Sequence, residues 1–178
     1  MHALSAALRA AMAAALIGGF AFQGSAVAAA DPWNGTGNQA DINTLARFLS
    51  KGYSVGDCVP QPLTAGVVAQ LNCNQNNDPA GPASAQFYLF SDPNGPAAAF
   101  KSNSTQDGIM LTKCGDTASP TIWSQSGNKM GDVACVTAKQ EGGAAEIMWT
   151  TTSRNLFSLI RGSNGDVASI YKWWVTNG

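Results

Sequence analysis

Hydrophobic and polar positions change their period along this chain, and the changes divide it into elements. Ile42, Leu45, Phe48 and Leu49 share one helical stripe, which predicts a first helix over 41–51 with Gly52 placed to stop it. The stretch 52–64, with Pro60 and Pro62 around Cys58, reads as irregular. Beyond it the period becomes two. Val67, Ala69, Leu71 and Cys73 alternate with Val68, Gln70 and Asn72, and Ala85, Phe87 and Leu89 alternate with Gln86, Tyr88 and Phe90. Both runs predict strands, the second over 84–90, joined by the turn-rich 74–82. Asp92-Pro93-Asn94 opens a middle helix over 96–101, and a polar loop follows towards Cys114.

The second half predicts strands over 121–124, 132–138, 144–151 and 155–161, with Gln140-Glu141-Gly142-Gly143 as a hairpin connection. Asp166 opens a last helix, whose stripe is Val167, Ile170, Tyr171 and Trp174; Trp173 lies off it. Consecutive hairpins with helices at the start, middle and end favour an α+β fold, an antiparallel sheet covered by helices. The halves also echo one another. Cys73 precedes Phe87 by the same interval that separates Cys135 from Trp149, a spacing that duplication or any two strand–turn–strand units would give.

The first 30 residues have no place in that pattern. Arg9 precedes an apolar run over 10–22, and small residues follow around Ala28 and Ala30. This reads as a signal peptide cut after Ala28 or Ala30, since the run is shorter than the roughly 20 residues that span a bilayer. The rest, 31–178, is then a single secreted domain without a stable membrane span. Trp33 belongs to a loose N-terminal lead.

An exported domain with four cysteines implies two disulfides. Of three possible connectivities we favour Cys58–Cys73 and Cys114–Cys135, because each pair flanks one turn-rich segment leading into a strand. Structural zinc would need close cysteine spacing or histidine partners, and the only histidine is His2. Charged residues make up only 12% of the chain, with no Lys/Arg cluster, so nucleic acid is not an expected partner.

Catalytic chemistry finds little purchase. Without histidine beyond the signal, Ser-His-Asp and Cys-His sites are excluded, and G-x-G-x-x-G and P-loop signatures are absent. Paired carboxylates remain, and the only glutamates are Glu141 and Glu146. Glu141 falls in a turn and Glu146 on the polar phase of its strand, and both read as solvated surface groups. Asp57 and Asp132 read as turn residues, and 74–78 offers a single carboxylate, too few for a calcium loop. No cofactor or metal is expected, and the chain reads as a non-enzyme.

The aromatics are the better lead. Tyr88, Phe90 and Trp173 are out of phase with their core faces and form the weak candidate set for ligand binding. With Gly56-Asp57-Cys58, Val68 to Cys73, Phe87 to Phe90, Gly131 to Cys135 and Ile147 to Thr150, the chain resembles small exported actinobacterial proteins of the mycobacterial type. It is similar also to the extracytoplasmic sensor domains of some of their serine/threonine kinases. That resemblance implies a disulfide-bonded α+β module that binds an extracellular cue, and carries no site residue; kinase and membrane span are lacking. The expected function is a secreted, non-catalytic binding domain for an unidentified cell-envelope component, small molecule or protein. A carboxylate-dependent cell-wall hydrolase and a protein-interaction module without a pocket are the alternatives. An apolar cavity with converging polar groups would favour ligand binding, and a flat exposed aromatic patch a protein partner.

Overall fold

The structure is a computed structural model that describes residues 35–139 and 142–178. The segment read as a signal peptide, with His2, and Trp33, Gln140 and Glu141 lie outside the described residues. Among those described, eight strands form one antiparallel sheet and three α-helices cover it. In chain order these are α1 (Gln39–Ala46), β1 (Cys58–Pro60), β2 (Val67–Cys73), β3 (Ser84–Phe90), α2 (Gly95–Ser104), β4 (Ile109–Thr112), β5 (Thr121–Gln125), β6 (Asn128–Ala138), β7 (Ala144–Thr151), β8 (Leu156–Arg161) and α3 (Val167–Asn177). The sheet order is β1-β2-β3-β8-β7-β6-β4, and β5 also pairs with β6. The fold is α+β, as the pattern predicts.

The sheet is a middle layer. On one face the β2 residues Ala69, Leu71 and Cys73 meet Phe87, Ile147, Trp149 and Ile160 beneath α1 and α3, and this is the larger core. On the other face Ala134, Val136, Met148, Phe157 and Leu159 pack under α2 through Phe100. The β2–β3 and β6–β7 hairpins share a register: Leu71 faces Phe87 as Val133 faces Trp149, and Cys73 faces Ala85 as Cys135 faces Ile147. Phe87 and Trp149 then meet edge to face across the buried Ser158 of β8, their ring centres 6.4 Å apart.

Both disulfides form as expected. Cys58–Cys73 joins directly opposed residues of β1 and β2, and Cys114–Cys135 ties the chain after β4 to the middle of β6. Two disulfides suit an oxidising, extracytoplasmic setting. No helix among the described residues is long and apolar enough to cross a membrane.

Several boundaries differ from expectation. Helix α1 starts at Gln39 because Asn38 Oδ1 accepts the Asp41 amide at 2.9 Å, and it ends at Ala46. The chain then turns towards α3, where the Lys51 amide donates to the Asn177 carbonyl. The irregular 52–64 contains β1, and β4 fills the stretch between the polar loop 102–108 and Cys114, where the pattern gives no element. Strand β6 begins at Asn128, because β4 and β5 pair with successive lengths of its outer edge. Trp173 is buried rather than off the apolar stripe: the buried face of α3 is Ile170, Trp173 and Trp174. The helix is rolled towards the β2–β3 connection, where the Trp173 indole donates to Asp78 Oδ2 at 2.9 Å.

Two carboxylates act as local staples. Asp57 accepts the hydroxyl and amide of Ser54, and Asp166 accepts the amide and hydroxyl of Ser169 at the start of α3. These bonds hold both carboxyls below the ordinary aspartate value of 3.8. A depressed folded value contributes stability that is present above the unfolded value and lost as pH falls through the folded one. Melting temperature should therefore fall as pH drops below about 3.8, and the fall should be shallower in Asp57→Asn/Asp166→Asn. An unchanged acid limb in that variant would refute the assignment.

Candidate functional site

Among the described residues, α2 is the only helix on its face, and it is a slim one. It lies over β7, β8 and β3 and leaves the β2 side of that face uncovered. Its flank towards β2 carries only the small residues Gly95, Ala98 and Ala99. The result is an open groove of about 570 Å³, with Val67, Gln70, Tyr88, Phe90 and Phe157 as floor and wall. The Tyr88 ring lies over Phe157, with ring centres 5.6 Å apart, and its hydroxyl donates to Gln86 Oε1 at 2.6 Å. Burial pushes the Tyr88 phenol above its ordinary value. Phe90 packs its ring where any Gly95 side chain would project, so glycine at that position lets the helix start close to the strand.

Beyond Tyr88 the character of the face changes. Gln86, Asn103, Gln106, Asp107, Glu146 and Arg161 line a smaller chamber of about 170 Å³. Glu146 and Arg161 are directly opposed in the β7–β8 register. The Arg161 Nε donates to Glu146 Oε1 at 2.7 Å. The Glu146 side chain is 2% exposed and that of Arg161 27%. Glu146 is thus not a solvated surface group. It lies on the expected alternate phase, but β7 is a central strand covered on both faces, so that phase turns into the chamber under α2 and not onto the open surface. A carboxylate buried there is tolerable only with a charged, hydrogen-bonded partner.

Two of the three candidate aromatics, Tyr88 and Phe90, come together in the groove, and Trp173 belongs to the opposite core. Asp132 lies 3.5 Å from Lys129, an exposed pair. Asp78 is occupied by the Ala80 amide and Trp173. No three His, Cys, Asp or Glu side chains converge among the described residues.

Three serine spacings in the sequence match catalytic patterns, and their setting in the fold decides against each. Gly52-Tyr53-Ser54-Val55-Gly56 has the pattern of a nucleophile elbow, yet Ser54 has extended backbone and caps a 3-10 turn, with no strand-to-helix turn around it. Ser126 with Lys129 and Ser169 with Lys172 have the spacing of a serine–lysine dyad; the first pair lies at the exposed β5–β6 hairpin, where Lys129 faces Asp132, and in the second the Ser169 hydroxyl donates to Asp166 Oδ2.

A second aromatic cluster, Trp123, Tyr171 and Trp174, closes the end of the sheet between β5 and α3. Trp123 Nε1 donates to the Thr150 carbonyl at 2.7 Å, so the ring is structural, while Ile122 and Val175 beside it are exposed. Compared with known proteins, the chain matches no family model, no curated protein and no solved structure.

Proposed function

We propose that this chain is a secreted, non-catalytic binding domain that holds a small apolar ligand of the cell envelope in the groove between α2 and the sheet. The observation that carries the reading is the groove itself. Apolar side chains form its floor, it is open to solvent, and it ends in a chamber of polar groups, the arrangement common to small-molecule sites. The resemblance to exported actinobacterial proteins and kinase sensor domains agrees with such a role, and so do the signal-like N-terminus and the two disulfides. A hydrolase would need Glu146 to exchange a proton with a substrate, and its Oε1 instead accepts from the Arg161 guanidinium at 2.7 Å.

Ala98 is solvent-exposed on α2 and lines the groove, so Ala98→Trp should fill the groove at little cost to the fold. The neutral dye N-phenylnaphthylamine should brighten on binding the native protein and lose at least about tenfold in affinity in Ala98→Trp. A native protein that leaves the dye unchanged would refute the proposal. A protein-interaction reading draws on Ile122 and Val175, exposed beside the edge of β5 that pairs with no strand among the described residues. It predicts that substitutions there, and not in the groove, abolish function.

A further inference from the structure

We infer that the groove takes an amphiphile whose head group is uncharged and hydrogen-bonding, and that it rejects anionic amphiphiles of the same chain length. The inference rests on the groove being the ligand site. Groove and chamber adjoin: Asn103 lines both, and Tyr88 of the groove donates to Gln86 of the chamber. An apolar chain lying along Val67, Tyr88, Phe90 and Phe157 therefore brings its polar end to Gln86, Asn103, Glu146 and Arg161.

Charge decides what that end can be. Among the described residues, Arg161 is the only basic one on the two linings, against Asp92, Asp107 and Glu146. Its charge is already balanced by Glu146 at 2.7 Å. A carboxylate or phosphate head would give up its hydration beside the buried Glu146 carboxylate and gain no unbalanced cation, a combination that costs free energy. A hydroxyl-bearing head meets the opposite conditions. The side-chain amides of Gln86, Asn103 and Gln106 are both donors and acceptors, and Glu146 is an acceptor. The chamber volume of about 170 Å³ is roughly that of five or six waters, the size of a glycerol unit.

The test displaces N-phenylnaphthylamine with two matched competitors at neutral pH, each below its micelle concentration. One is the glycerol ester of dodecanoic acid and the other is dodecanoate. The glycerol ester should compete at least about tenfold more tightly with the native protein. Glu146→Gln keeps an acceptor for Arg161 and removes one negative charge from the chamber, so the preference should shrink. Equal or tighter binding of dodecanoate to the native protein would overturn the inference and leave the groove as a binding site. Binding of neither competitor, nor of the dye, would overturn the groove reading with it. An unchanged preference in a folded Glu146→Gln, checked by circular dichroism, would remove Glu146 from the selection and also overturn the inference. The native comparison decides even where that variant fails to fold.

Discussion

Gly131→Ala should destabilise the domain by about 2–4 kcal/mol, lowering its melting temperature by roughly 5–15 °C. Gly131 lies in β6 opposite Trp123 of β5, where the regular β6–β7 register has just ended at Val133 and Trp149. A methyl group there would sit against the Thr150 carbonyl oxygen and hydroxyl, well inside the 3.0 Å that Cβ atoms keep. That carbonyl cannot rotate aside, because it accepts the Trp123 indole, and the Thr150 hydroxyl accepts the Asp132 amide at 3.0 Å. The corner joining β5, β6 and β7 must open, and the Trp123–Trp174 contact opens with it. Gly56→Ala is the control: its new methyl group meets only Ser54 Oγ, at 3.7 Å, and the melting temperature should stay close to native. A Gly131→Ala protein that melts with the Gly56→Ala control would disprove this account of the corner.

Loss of the disulfides should cost more in total. Cys114–Cys135 closes a separation of 21 residues and Cys58–Cys73 one of 15, and each is worth about 3 kcal/mol in the chain-entropy treatment. The sum, about 6 kcal/mol, is comparable to the whole stability of many domains. The two should differ in what they release. Cys58–Cys73 bridges strands already paired at the β1 edge, so Cys58→Ala/Cys73→Ala should lower stability and leave the sheet otherwise intact. Cys114–Cys135 anchors the β4–β5 connection, which has one further fastening in Ser119, whose hydroxyl accepts the Cys135 amide at 2.8 Å. Cys114→Ala/Cys135→Ala should therefore expose that connection to proteolysis as well. Thermal melts with and without reductant test the sum. Superimposable curves would contradict it, and limited proteolysis separates the two bridges.

Much of this architecture is legible before any coordinates. Strands β2 and β3 can be read from alternation because one face of each is strictly apolar, and the bounds of β3 and β7 match the pattern. The disulfide pairing follows from the same reading. What escapes is whatever depends on distant coverage. Strand β1 ends in Pro60, which only an edge strand tolerates, and β4 is four residues whose partner lies beyond a disulfide loop. Trp173 looks off-stripe until the β2–β3 connection is known to fold over α3.

The site divides in the same way. Tyr88 and Phe90 are identifiable because they are aromatic on the wrong phase. Glu146 misleads, since a polar phase implies water only on a strand with an open face. Its partner was within reach, because a tight turn after Thr151 places Arg161 opposite Glu146 in the next strand. The groove itself could not be read, because it is the space beside Ala98 and Ala99 on a helix whose position is a tertiary fact.

The central claim is that ligand lies between α2 and the sheet. Amide NMR of the isotopically labelled protein, titrated with the glycerol ester of dodecanoic acid, tests it most directly. The largest shifts should map to Val67, Tyr88, Ala98, Ala99, Asn103 and Phe157, with Glu146 and Arg161 following at the polar end. Shifts confined to Ile122, Tyr171 and Val175, or no shifts at all, would contradict the account.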